Sequence, residues 1–120
     1  SKQFQKGIEQ LMDEGVAQMF VNQFNNRRII GTVGQLQFEV IQYRLENEYN
    51  VEIRLENLPY EHIRWIENKE EVDVDALTGT SDMKKVIDMK GNPLLLFVNA
   101  WSVGMTEDRN PDLVLTEFSK

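Results

Sequence analysis

Residues 86–98 read VIDMKGNPLLLFV. Two β-type runs, Val86 to Met89 and Leu94 to Val98, flank Lys90, Gly91, Asn92 and Pro93, and an interval of that composition is strong turn chemistry. The stretch predicts a hairpin, and what lies on either side of it decides the fold. Downstream, Asn99 is placed to cap a helix through about Arg109, which Asn110 and Pro111 end before a last strand, Leu113 to Phe118. Upstream, Ile63 and Trp65 alternate with His62, Arg64 and Ile66 in a strand over His62 to Glu67. Between that strand and the hairpin, Val72, Ala76 and Leu77 form a weak amphipathic set, predicting a short helix within Asn68 to Thr78 that closes at Gly79. Residues 59–120 thus predict strand, helix, strand, strand, helix, strand, which is the split βαβ or ferredoxin-like order.

Residues 1–58 repeat the pattern without its first member. Phe4, Ile8, Leu11 and Met12 have helical spacing up to Gly15, a residue suited to the left-handed end of a helix. Val16 to Val21, with Ala17, Met19 and Val21 on one face, and Arg28 to Val33 predict a hairpin across the polar cluster Asn22, Asn25 and Asn26. Gly34 is expected to turn the chain sharply into a helix from Gln35 to Glu48, and Val51 to Leu55 follow as a strand. The predicted fold class is α+β: two ferredoxin-like units packed together, 1–58 (αββαβ) and 59–120 (βαββαβ), the first lacking its opening strand. That strand is central to the sheet in this arrangement. Its absence predicts either a chain cut just after it from a longer protein or a second half that fills the gap. Ser1 ahead of Lys2, with no initiator methionine, agrees with an expressed fragment.

The Gln35 to Glu48 helix carries two apolar stripes, Phe38, Ile41, Leu45 and Tyr49 on one side and Leu36, Val40 and Tyr43 nearly opposite. One sheet cannot cover both, so a second partner is expected, either the other half of the chain or a neighbouring domain.

Composition narrows the chemistry. The chain has 120 residues, 41% of them apolar, enough for one compact α+β domain or two small units sharing a core. No run approaches the about 20 apolar residues of a membrane span, and no signal layout opens the chain, so a cytoplasmic protein away from membranes is expected. The lack of cysteine removes disulfides, thiolate metal sites and cysteine nucleophiles together. With a net charge of −7, strong autonomous binding to free nucleic acid is not expected; Arg27, Arg28, Arg44, Arg54 and Arg64 are the residues from which a local basic patch would be built.

Candidates for catalysis are sparse. There is no P-loop, and Gly31 and Gly34 lack the rest of a nucleotide fingerprint, so they read as structural. His62 is the sole histidine, which excludes a multi-histidine metal site and fits a solvent-facing strand residue. Asp73 with Asp75 and Glu70 with Glu71 read as solvated charge rather than a cation or proton-sharing pair. Trp65 and Trp101 are expected in the core rather than stacked on RNA bases. No catalytic, cofactor-binding or metal-binding residue is assigned.

The ordered set from Gly31 to Val40, continued by Tyr43, Leu45, Glu48, Tyr49, Asn50 and Val51, resembles the region that follows the GTPase domain in ribosomal translation factors. Elongation factor G and its relatives have glycine, a small or apolar residue, glycine, an acidic residue, leucine, histidine, leucine and glutamate there. This chain has Leu36, Phe38 and Glu39 in step, with Gln37 in place of the histidine. That departure, together with the continuation through Asn47 to Val51, is similar to the release factor three family. Leu11, Glu14, Gly15, Val16, Gln18 and Phe20, and the tract around Arg64, Trp65 and Glu67, add to it. The resemblance is strong over residues 4–67, looser beyond, and weakest from Leu77 to Asp88. It implies a non-catalytic C-terminal domain of a GTPase acting in translation termination, with GTP held in an N-terminal domain outside this chain. The implied partners are the ribosome on its small-subunit side, the factor's own GTPase and β-barrel domains and, indirectly, the codon-reading class 1 release factors, with the factor a monomer. Two rival readings are a free-standing ferredoxin-like ligand-binding regulatory domain and an acylphosphatase-like hydrolase; the latter needs an anion loop after the opening strand, which this sequence does not hold.

Overall fold

The computed structural model describes residues 2–32 and 34–118, and falls into two compact units, Ser1–Phe20 with Arg28–Asn57 and Val21–Arg27 with Leu58–Lys120. The first unit is built on helix α1 (Lys2–Asp13), strands β1 (Gln18–Val21) and β2 (Arg28–Gly31), and helix α2 (Gln35–Glu48). The predicted helices and hairpin are therefore present, with Val33, expected at the end of the second strand, outside the described residues.

Helix α1 stops where the sequence says it should. Gly15 has φ +76°, so Val16 N–H can reach back to the Leu11 carbonyl and Gly15 N–H to that of Met12, each at 3.0 Å. Asn50 does the corresponding work after α2, with φ +54° and a 2.9 Å bond from Val51 N–H to the Leu45 carbonyl. Ile8 and Leu11 of α1, Ala17 and Met19 around β1, and Ile41 and Leu45 of α2 close one apolar core, flanked by Phe4, Met12, Ile30, Tyr49, Val51 and Ile53. The two helices approach closely at Gly7, where a Cβ would stand 2.6 Å from Leu45 Cδ2 and 3.0 Å from Tyr49 Cδ2.

Two expectations for this unit need correction. Val51 to Leu55 is not a strand: burial alternates along it, but no ladder forms. In the split βαβ arrangement this segment pairs with the opening strand, and no strand precedes α1 among the described residues. Val51 and Ile53 hold the segment to the core by their side chains, without a strand ladder along its backbone. Gly34 does not need to be glycine for the turn either, because its φ of −150° is ordinary extended backbone and nothing lies within 4 Å of a Cβ there.

The second unit contains β3 (His62–Ile66), a 3-10 turn (Val74–Ala76), β4 (Lys84–Asp88), β5 (Pro93–Phe97), helix α3 (Ala100–Arg109) and β6 (Leu115–Thr116). Its strands lie in the order β6, β3, β5, β4 and every neighbouring pair is antiparallel. This is the ferredoxin-like order predicted from the hairpin outward. Trp65 faces Leu94 and Leu94 faces Val86, so these three share one sheet face with Leu96. Leu95, Phe97 and Ile66 point the other way, into a core with Val103 of α3, Leu77 and Leu113. Both faces of β5 are buried, which explains why Leu94 to Phe97 is unbroken apolar sequence rather than an alternating one.

The β4–β5 turn is tied by its own first residue. Asp88 Oδ1 accepts the N–H groups of Lys90 and Asn92 at 2.9 Å each, Gly91 takes φ +84°, and Asp88 Oδ2 accepts Trp65 Nε1–H at 3.0 Å. Asn99 caps α3 as expected, its Oδ1 accepting Ser102 N–H at 2.9 Å.

The helix expected within Asn68 to Thr78 shrinks to the single 3-10 turn. Val72, Val74 and Leu77 still reach the core, but Asn68 is bound side chain to backbone at Asp112 O (2.6 Å) and Val114 N (3.0 Å), which fixes the start of the segment against the chain's last stretch. Side-chain capping by Asp73 then turns the chain locally, in the manner that lets Asx residues compete with helix. The last strand is likewise shorter than Leu113 to Phe118.

Candidate functional site

The charged candidates resolve into local structure. Asp73 Oδ1 accepts Asp75 N–H at 3.2 Å, so that pair caps the 3-10 turn, while Glu70 and Glu71 are exposed. His62 is half-buried on β3 opposite Phe97. Among the described residues no group of three or more His, Asp or Glu side chains is arranged to hold a metal ion. Gly31 ends β2 and Gly34 precedes α2, whose first turn has no side-chain cap.

The arginines serve separate contacts. Arg44 on α2 grips Glu14 through two 2.9 Å bonds and Glu48 through Nε at 3.1 Å. The hydrogen bonds from Arg44, then Gln10, hold the Glu14 carboxyl below the usual glutamate range, and Glu14 in turn raises the Arg44 guanidinium above its ordinary value. Arg64 pairs with Glu117 at 3.4 Å and donates to the Ile63 carbonyl at 2.8 Å. Arg28 lies 5.4 Å from the centroid of the Phe4 ring, a cation–π contact, and Arg27 and Arg54 are exposed.

What the first unit does present is an apolar ridge. On α2, Ile41 and Leu45 are fully buried and Phe38 and Tyr49 partly so. The opposite stripe stands in solvent, with Leu36 71%, Val40 40% and Tyr43 67% exposed. Positions i, i+4 and i+7 form one continuous row along a helix, edged here by exposed Glu39, Glu46 and Asn47. Within its own unit this row of large apolar side chains is left without a cover.

The tryptophans divide. Trp65 is 6% exposed, in the core as expected, but Trp101 is 64% exposed. Its position near the start of α3 sets it on the side away from Ser102, Val103 and Thr106, which take the buried face of that helix. Phe24, at the β1–β2 turn and 92% exposed, was hidden by its surroundings: the asparagines around it announce a turn, and a lone aromatic inside them is the signal that a displayed side chain leaves.

A small α+β domain of ferredoxin-like type, with a bare apolar ridge on one helix, is the class that fold and site define. The profile of the family described as "Class II release factor RF3, C-terminal domain" matches residues 1–107. Over 117 residues, 98% of this chain, it is 44% identical to a protein named peptide chain release factor 3 from Listeria welshimeri and to its namesake from Listeria innocua. A protein of the same name from Lactobacillus delbrueckii subsp. bulgaricus is 42% identical over 116 residues, 97% of the chain. The chain belongs to the family of release factor 3 C-terminal domains, and it spans 22% of the length of these relatives.

Proposed function

We propose that this chain serves translation termination as the non-catalytic C-terminal domain of a release factor 3 GTPase, helping the factor dock on the ribosome and promote dissociation of the codon-reading release factors. In this reading GTP is bound and hydrolysed in the N-terminal domain of the longer protein, and the halves 1–58 and 59–120 act together as one monomeric, cytoplasmic docking module. Its contacts are the factor's own GTPase and β-barrel domains and the small-subunit side of the ribosome.

The observation that carries the docking role is the exposed Leu36, Val40 and Tyr43 row. A large apolar side chain gains roughly 1.5–3 kcal/mol when it is taken out of water, so a ridge of three is a ready interface. The acidic rim of Glu39 and Glu46 favours a protein surface over phosphate there.

The test is a full-length factor carrying Leu36→Asp and Val40→Asp. The altered domain should lose no more than about 1 kcal/mol of stability, because Leu36 is mostly exposed and Val40 is covered only in part, while GTP-dependent recycling of release factors on purified ribosomes falls at least tenfold. Recycling at the parent rate would show that the ridge is not a docking surface.

A further inference from the structure

Phe24 is more exposed than any other large apolar side chain described, yet the turn that carries it is firmly built. Asn22, itself buried, accepts Phe24 N–H on Oδ1 at 3.0 Å, donates its own N–H to the Arg27 carbonyl at 2.9 Å and accepts Asn26 N–H on its carbonyl at 2.8 Å. Asn25 Oδ1 accepts Arg27 N–H at 2.9 Å, and Asn26 takes φ +57°, which asparagine tolerates. The ring therefore stands on a hydrogen-bonded platform.

The charge around that platform is segregated from the rest of the chain. Although the protein has 20 acidic residues and a net charge of −7, none of the acidic residues lies between Gly15 and Phe38. The charged residues in that interval are Arg27 and Arg28, both exposed and both at the end of the turn. Arg28 is steadied by Phe4 and by a 3.5 Å bond to Gln5 Oε1, and no hydrogen bond or ion pair of the Arg27 guanidinium is formed among the described residues.

We propose that the β1–β2 turn is an RNA-contacting tip, in which Phe24 stacks on an unpaired base while Arg27 and Arg28 meet the flanking phosphates. A purely apolar partner pocket would have no use for two adjacent guanidinium groups free of carboxylates, and bare phosphate would have no use for the ring. An unpaired nucleotide offers both a π face and a charge. Two cations neutralise too little phosphate for the tip to bind RNA unaided against the overall negative field. It works instead as one anchor of a factor already held on the ribosome, so the inference rests on the termination reading, and the RNA is ribosomal RNA.

The test uses the full-length factor, loaded with a non-hydrolysable GTP analogue, and purified ribosomes. Phe24→Ala should weaken binding roughly tenfold, the scale of one lost base stack, Phe24→Trp should restore it, and Phe24→Leu should behave like alanine. Arg27→Ala should lower the slope of log affinity against log salt by about 0.7. Phe24→p-benzoylphenylalanine, irradiated on the ribosome, should yield a nuclease-sensitive crosslink. A crosslink to a ribosomal protein, or full affinity for the leucine variant, overturns the stacking assignment; full affinity for the alanine variant overturns the tip itself while leaving the termination reading in place. A parent factor that does not bind ribosomes at all overturns that reading and the tip's target with it.

Discussion

Leu36 and Leu45 lie on one helix and face opposite ways, so the same leucine-to-alanine change should have two very different costs. Leu45 is fully buried among Ile8, Leu11 and Ile41, and its Cδ2 fills the space where Gly7 lacks a side chain. Removing that side chain leaves a cavity at the α1–α2 contact, and buried Leu→Ala changes cost about 2–5 kcal/mol. A domain of this size is stable by about 5–15 kcal/mol, so the loss is a large share of the whole. With a urea dependence of about 1–3 kcal/mol per molar, the unfolding midpoint should drop by at least roughly 0.7 M, read by circular dichroism. Leu36, 71% exposed, surrenders little burial, and alanine is the better helix former, so Leu36→Ala should move stability by no more than about 0.5 kcal/mol. A comparable loss from both changes would refute the facing of α2, and with it the ridge.

Further consequences follow from single contacts. Gly7→Val should destabilise the first unit by about 1–3 kcal/mol, because its side chain must displace Leu45 and Tyr49; a thermal melt at unchanged or higher midpoint would show the helices free to part. Glu14 has a depressed pKa in the folded chain, so its pairing with Arg44 adds stability above the ordinary glutamate range and loses it as pH falls through the folded pKa. Arg44→Ala should therefore cost more in urea midpoint at neutral pH than at about pH 3, where the carboxyl of a normal glutamate is protonated; an equal cost at both would assign Arg44 to packing alone. Trp65→Phe should leave emission from Trp101 only, red-shifted and open to acrylamide quenching, and should remove a buried hydrogen bond to Asp88 at a cost of about 1–3 kcal/mol. Asn99→Ala should cost about 0.5–2 kcal/mol through loss of the α3 cap, measured by urea titration.

Most of the fold was legible because local chemistry and long-range burial agree. Gly15 ends a helix by its own conformation, Asn99 starts one, and Gly91 turns the chain between β4 and β5, each within a few residues of its sequence signal. Reading failed where the outcome depended on distant partners. Val51 to Leu55 has the alternation of a strand, but a strand exists only with a neighbour to pair with, and none is present among the described residues. The Asn68 to Thr78 helix was forestalled by bonds from Asn68 to residues far along the chain. The two-sided character of α2 was visible in the order of its residues, whereas which stripe stayed bare was not, since periodicity names faces without saying what covers them. Trp101 and Phe24 escaped for the same reason, as single aromatics without a stripe to place them.

The proposed coupling of a parent GTPase to the ribosome through this domain can be measured by release-factor recycling on purified ribosomes, using the full-length factor with and without the segment equivalent to residues 1–120. Removal should leave GTP binding intact and abolish recycling. Recycling that survives the removal would contradict that coupling.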